Sequence, residues 1–162
     1  MRNFVILGAV SALLCSTPAA ANPPGNATAD VEAARAFVDR LFAVYVTNEV
    51  PYIFGEPGAF FDPELARAIA TLGARMEESG DMPGSFGADP VCDCQDYGDV
   101  SYRIDALGID GLRATATVSF TNFGQTDKRR VDLLKTPEGW RVFDLGGTFR
   151  SSVMADLAAS QP

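Results

Sequence analysis

The chain contains no histidine, and that absence excludes a large part of common enzyme chemistry. Ser-His-Asp and Cys-His nucleophilic sets, histidine-containing zinc sites and imidazole acid–base catalysis are all ruled out. Whatever chemistry the protein performs must use carboxylates, tyrosines, arginines, lysines or thiols. Cysteine is also scarce, with three in 162 residues, and no C-x-x-C spacing occurs, so neither a four-cysteine zinc site nor a thioredoxin-like redox motif is available. Basic charge is sparse: 13 Lys and Arg stand against 21 Asp and Glu, a net charge of −8. Such a surface repels nucleic acid and anionic lipid. The one basic run, Lys128-Arg129-Arg130, reads as a solvated strand end. No internal repeat or low-complexity segment is present. Long apolar runs are missing as well. The stretch Phe4–Cys15 falls short of the roughly 20 residues that a membrane-spanning helix needs.

That short apolar stretch has another use. Arg2 precedes it and Ala19-Ala20-Ala21 follows, the charged start, apolar core and A-x-A exit of a cleavable secretory signal. Cleavage is expected between Ala21 and Asn22. A retained membrane anchor is the rival reading. Lipidation of Cys15 is disfavoured because Leu14, rather than a small residue, precedes it. Removing 21 residues from 162 leaves 141, the size of one domain with a real core. Without Arg2 the balance becomes 12 basic against 21 acidic residues, or −9. The expected organisation is a signal over residues 1–21, a Pro/Gly/Asn-rich lead-in over 22–27 and one domain over 28–162. The location is then periplasmic or secreted, with no stable membrane anchor after cleavage.

Apolar spacing of three and four residues predicts a helix over about Thr28 to Val46. Its inward stripe is Val31, Ala34, Phe37, Val38, Leu41, Phe42 and Tyr45. Thr47 to Phe61 breaks that period with Pro51, Gly55, Pro57 and Gly58, and reads as a loop carrying Tyr52, Phe54, Phe60 and Phe61. Asp62-Pro63-Glu64 is a helix start, combining a capping carboxylate, a proline at the first helical position and an acid that complements the dipole. Leu65, Ile69, Leu72 and Met76 face inward until Ser79-Gly80 stops the helix. Residues 79–99 form a long irregular stretch, the natural place to look for function. The period then becomes two. Val100–Ala106, Leu112–Thr121, Arg129–Lys135 and Trp140–Leu145 are predicted strands with short connections, an antiparallel meander. Ser151–Ala159 is a closing helix with Val153, Met154 and Leu157 inward. The fold class is α+β, with two N-terminal helices packed on a four-stranded antiparallel sheet and a C-terminal helix.

The irregular stretch holds Asp89-Pro90-Val91-Cys92-Asp93-Cys94-Gln95-Asp96-Tyr97-Gly98-Asp99, open to three readings. The first is a Cys92–Cys94 disulfide, favoured by an oxidising compartment and stiffening one turn. The second is redox catalysis by the same pair. The third is a hard cation on Asp89, Asp93, Asp96 and Asp99, although the spacing misses the calcium-loop pattern. No metal and no cofactor is expected. Trp140 reads as a core aromatic whose indole N–H is satisfied. Tyr45, Tyr52, Tyr97 and Tyr102 with Arg103, Asp105 and Asp144 are candidates to line a cleft between sheet and helices.

Taken together, Phe60-Phe61-Asp62-Pro63, the pair Asp89-Pro90 with Gln95-Asp96, and the strand Gly139-Trp140-Arg141-Val142-Phe143-Asp144 resemble a bacterial family of exported proteins and lipoproteins. That family is a domain of unknown function that looks like a member of the nuclear-transport-factor-2-like superfamily. The resemblance covers about residues 31–158. The chain departs from it by carrying Cys92 and Cys94 within the motif and by lacking a lipidation site. The resemblance implies a cone, a curved antiparallel sheet wrapped around helices, with a pocket at its open end. It supplies no catalytic residues, and relatives in the superfamily often form homodimers.

Two functional expectations follow. The preferred one is a non-catalytic exported binding module for a small ligand or an envelope protein. Its contacts would come from the stiffened Cys92–Asp96 loop, with Gln95, Asp96, Tyr97 and Tyr102 as candidates. The alternative is an isomerase- or hydrolase-like enzyme using a buried carboxylate, Asp96 or Asp144. A self-associating structural protein is a third possibility.

Overall fold

The computed structural model describes residues 27–49 and 55–159. The signal segment with Cys15 and the Ala21–Asn22 junction, nearly all of the lead-in, and Tyr52 and Phe54 lie outside the described residues. Four helices and four strands follow in the order α1 (Ala27–Thr47), α2 (Pro57–Phe60), α3 (Pro63–Ser79), β1 (Ser101–Asp110), β2 (Arg113–Asn122), β3 (Gln125–Thr136), β4 (Gly139–Leu145) and α4 (Phe149–Ala159), with a single 3₁₀ turn at Gly84–Phe86. Ala27, expected in the lead-in, already belongs to α1, and a short helix, α2, occupies part of the expected 47–61 loop.

The strands form one open antiparallel sheet in the order β1-β2-β3-β4. Helices cover one face. Along β2 the expected alternation holds, with Ala114, Ala116, Val118 and Phe120 buried. They meet Phe37, Val38, Leu41, Phe42 and Tyr45 of α1, Leu65, Ile69 and Leu72 of α3, and Val153 of α4 in one contiguous core. Burying such side chains is the main favourable contribution to the fold, about 1.5–3 kcal/mol each. Val31 departs from the predicted stripe and is 40% exposed in the first turns of α1.

Two turns differ from expectation. Leu112 is not a strand residue but half of a two-residue Gly111-Leu112 turn, because Asp110 pairs with Arg113; it is exposed. The second hairpin is tighter than the gap between the predicted strands Leu112–Thr121 and Arg129–Lys135: Asn122 pairs with Gln125. Phe123 and Gly124 both take positive φ (48° and 77°), the mirror-image turn that suits strand twist. Consequently β3 starts at Gln125 and overhangs β4, whose pairing ends at Val131–Leu145. That overhang creates the space described below.

The start of α3 is tied directly to the sheet. Asp62 Oδ1 accepts from the Glu64 N–H at 3.1 Å, Pro63 occupies the first turn, and Gly80 ends the helix in left-handed conformation. Phe61 bridges to Val142 in parallel, and the Asp62 N–H donates to the Val142 carbonyl at 2.9 Å. The outer edge of β4 is thereby partly covered, which limits unwanted strand pairing.

Candidate functional site

The irregular stretch is a stapled loop. Cys92 and Cys94 are joined by a disulfide with Cα atoms 5.2 Å apart. The Asp89 N–H donates to the Cys94 carbonyl at 3.0 Å, closing a miniature antiparallel bridge. Asp89 anchors the loop at both carboxylate oxygens. Oδ1 accepts from the Val91 N–H at 2.9 Å, and Oδ2 accepts from the Tyr45 hydroxyl of α1 at 2.6 Å. Burial, reinforced by the adjacent Asp89 charge, raises the Tyr45 phenol far above its ordinary range. Tyr45 also meets the rings of Tyr97 and Phe120 edge-on, at 5.4 and 5.5 Å. Further along, the Asn122 side chain donates to the Asp96 carbonyl and accepts from the Gly98 N–H. The Gly98 carbonyl accepts from the Phe123 N–H at 2.9 Å. Gly98 lies so close to the Phe123 ring that a Cβ there would stand 2.6 Å from it.

This docking places the loop beside the β3 overhang. Between them lies a cleft of about 310 Å³, walled by Ser85, Pro90, Val91 and Asp93 on the loop side and by Arg129 and the Leu145–Ser152 segment on the other. It is more enclosed than the larger depressions beside Tyr102 and at the end of α3. Val91, Leu145 and Phe149 are buried and supply its apolar side.

Arg129 lines this cleft together with the charged residues Asp93, Lys128 and Arg130. Its side chain is 20% exposed, and its Nη1 donates to Asp93 Oδ2 at 2.8 Å. Its Nη2 lies 3.9 Å from Asp127, beyond hydrogen-bond reach. Arg129 Nε and the Ser85 hydroxyl are buried without a hydrogen-bond partner among the described residues. Lys128 and Arg130 belong to the opposite face of the sheet. Lys128 bonds Asp105 and the Ser119 hydroxyl, and Arg130 pairs with Asp132 at 2.8 Å. With Ser119 and Arg103 also donating to it, Asp105 is held well below the usual carboxylate range, Lys128 first among the causes.

The residues singled out from sequence are scattered. Asp96 and Gln95 are exposed; Gln95 donates to the Gly87 carbonyl at 3.2 Å. Tyr97 donates to Asn48 Oδ1 at 3.1 Å. Tyr102 stacks on Phe42 and donates to Asp39 Oδ1 at 2.7 Å, its pKa pushed up to about 12 by burial and that bond. Asp144 Oδ1 accepts from the Leu145 and Arg150 N–H groups, both at 2.8 Å, so it shapes the entry to α4. None of Asp96, Asp144, Tyr45, Tyr97 and Tyr102 lines the Arg129 cleft. Asp89 is engaged by Tyr45 and the Val91 N–H and Asp93 by Arg129, and no group of three or more ligating side chains forms a metal site among the described residues. Trp140 is buried as expected, but its indole N–H has no partner among the described residues; the Lys135 ammonium lies 6.0 Å from the ring centroid.

Arg129 is what a reading of the basic run as solvated overlooks. Strand parity is the signal: Arg129 shares its face with Val131 and Leu133, both fully buried, whereas Lys128 and Arg130 do not.

Over 128 residues the chain is 27% identical to "Uncharacterized protein YqhG" of Escherichia coli (strain K12), covering 76% of this chain and 39% of that relative. The chain thus spans about two-fifths of the relative's length. No family model matches the chain, and no solved structure matches it.

Proposed function

We propose that the protein is an exported binding module whose ligand enters the cleft between the Cys92–Cys94 loop and the β3 overhang. The carrying observation is that cleft itself: a half-open space with an apolar side, a mostly buried arginine and unmet polar atoms, behind a wall held rigid by a disulfide. A few oriented polar groups on an apolar background are the usual composition of small-molecule sites. The disulfide accords with an oxidising compartment, and no helix among the described residues is long and apolar enough to cross a membrane. The one-sided helical layer on an antiparallel meander supports reading the fold as a nuclear-transport-factor-2-like cone, with this cleft as the counterpart of its pocket. Binding is favoured over the enzyme alternative because Asp96 is exposed and Asp144 is engaged by two backbone N–H groups, neither of them in this cleft.

Ser152 tests the reading. It is exposed and lines the cleft from α4, so Ser152→Trp fills the space without entering the core. In a thermal-shift screen of neutral and charged small molecules, hits on the wild-type chain should vanish in this variant while its unliganded midpoint stays near wild type. Hits that survive Ser152→Trp would place binding elsewhere.

A further inference from the structure

Arg129 carries a more specific conclusion about the same cleft, one that rests on the binding reading above. We infer that the cleft takes the carboxylate of a monoanion with an apolar body, and that Asp93 holds the guanidinium in the place that carboxylate takes over.

Three features converge on this chemistry. The Arg129–Asp93 pair is lopsided: the arginine side chain is 20% exposed and the aspartate 73%. An exposed carboxylate in such a pair contributes little net stability. It can be replaced by another carboxylate at small cost, whereas the arginine stays charged and in place. The pairing also uses little of the guanidinium. One N–H bonds Asp93, Nη2 lies 3.9 Å from Asp127, and Nε has no partner among the described residues. A planar carboxylate that accepts two parallel bonds uses the fork more fully. Finally, Val91, Leu145 and Phe149 line the same cleft with apolar surface, and Ser85 lines it with a hydroxyl buried without a partner among the described residues. Asp93 and Asp127 nearby favour a monoanion over a phosphate dianion. Lys128 and Arg130 also line the cleft, but their charged groups are taken by Asp105 and Asp132.

A carboxylate of this kind comes either as a free organic acid or as the C-terminus of a peptide. The test titrates the full chain, recovered oxidised, at low salt and follows backbone amide shifts. The probes are 3-phenylpropionate, its amide, N-acetyl-Ala-Phe with free or amidated C-terminus, and inorganic phosphate. Acids should bind at the cleft at least about tenfold more tightly than their amides, and Arg129→Gln should bring the acids down to the amide level. Asp93→Asn should tighten acid binding about three- to fivefold, and it carries the test alone if Arg129→Gln fails to fold. A tenfold preference for either the peptide acid or the free acid identifies the source, and both support the inference. Equal binding of acid and amide, abolished by Ser152→Trp, would overturn the carboxylate assignment and leave the binding module standing. Preferential phosphate binding would overturn it too. Absence of cleft shifts with every probe, in wild type and in Asp93→Asn alike, would sink both readings.

Discussion

At the scale of single residues, Tyr45 shows how one side chain serves core and loop together. Its ring packs between Tyr97 and Phe120, and its hydroxyl fixes Asp89. Periodicity along α1 marks Tyr45 as inward-facing, but nothing local pairs it with a carboxylate 44 positions away. Because the folded state raises the phenol's pKa, the associated stability is present in full below the ordinary tyrosine value near 10. It is lost progressively as pH rises above that value towards the folded one. Denaturation midpoints should therefore fall above about pH 10, and less steeply in Tyr45→Phe. At neutral pH that variant should lose about 1–2 kcal/mol, the cost of leaving Asp89 Oδ2 without its donor. Denaturant unfolding at a series of pH values measures both effects. Identical slopes above pH 10 in the two proteins would refute the coupling.

At the scale of elements, the entry to α3 is the best-specified feature of the chain. Asp62-Pro63-Glu64 announces a cap in the sequence, and the cap forms. What the sequence conceals is that Asp62 is also an ion-pair partner for α4. Arg150 Nη1 bonds Asp62 Oδ2 at 2.6 Å, and Nη2 bonds Glu64. The Arg150 guanidinium also lies 4.2 Å from the Phe143 ring, which meets Arg113 at 3.7 Å. Asp62→Ala should cost about 2–4 kcal/mol in urea unfolding: roughly 1 for the cap, the rest for removing the buried partner of a mostly buried arginine, which keeps Glu64 and the Phe143 carbonyl. Glu64→Ala, removing an exposed partner, should cost less than about 1 kcal/mol. Equal costs for the two would mean that the buried bond adds nothing.

At the scale of the whole molecule, the stapled loop is held at three places: by its disulfide, by Tyr45 of α1 and by the β2–β3 turn. The disulfide closes a very short loop, so its entropic contribution is small. Its importance lies in where it puts Asp93, whose φ of 54° is uncommon for a non-glycine residue. If the chain is exported as proposed, protein recovered outside the cytoplasm should begin at Asn22. It should take up no alkylating reagent until reduced, and then two equivalents. Intact mass spectrometry decides this, and alkylation without reduction would refute the pairing in the native chain. Cys92→Ser with Cys94→Ser should leave the core folded, with a loss of at most about 2–3 kcal/mol, while weakening whatever binds in the cleft.

The sequence by itself determined the order of the two long N-terminal helices, four strands and closing helix, the inward faces of α1, α3 and β2, the cap at Asp62 and the one cysteine pair that an oxidising environment would join. These follow from period, capping chemistry and composition, which are local properties. The tertiary structure decided which charged residue faces the cleft. Arg129 sits within a basic triplet that looks like a solvated end. Its exposure depends on how far β3 runs past β4, and that is set by a two-residue turn held through contacts with a loop 24 residues away. The same holds for the candidate carboxylates: Asp96 is exposed, and Asp144 is engaged by two backbone N–H groups. Whether a carboxylate meets a cavity, a backbone N–H or solvent depends on distant parts of the chain, and no spacing along the sequence records it.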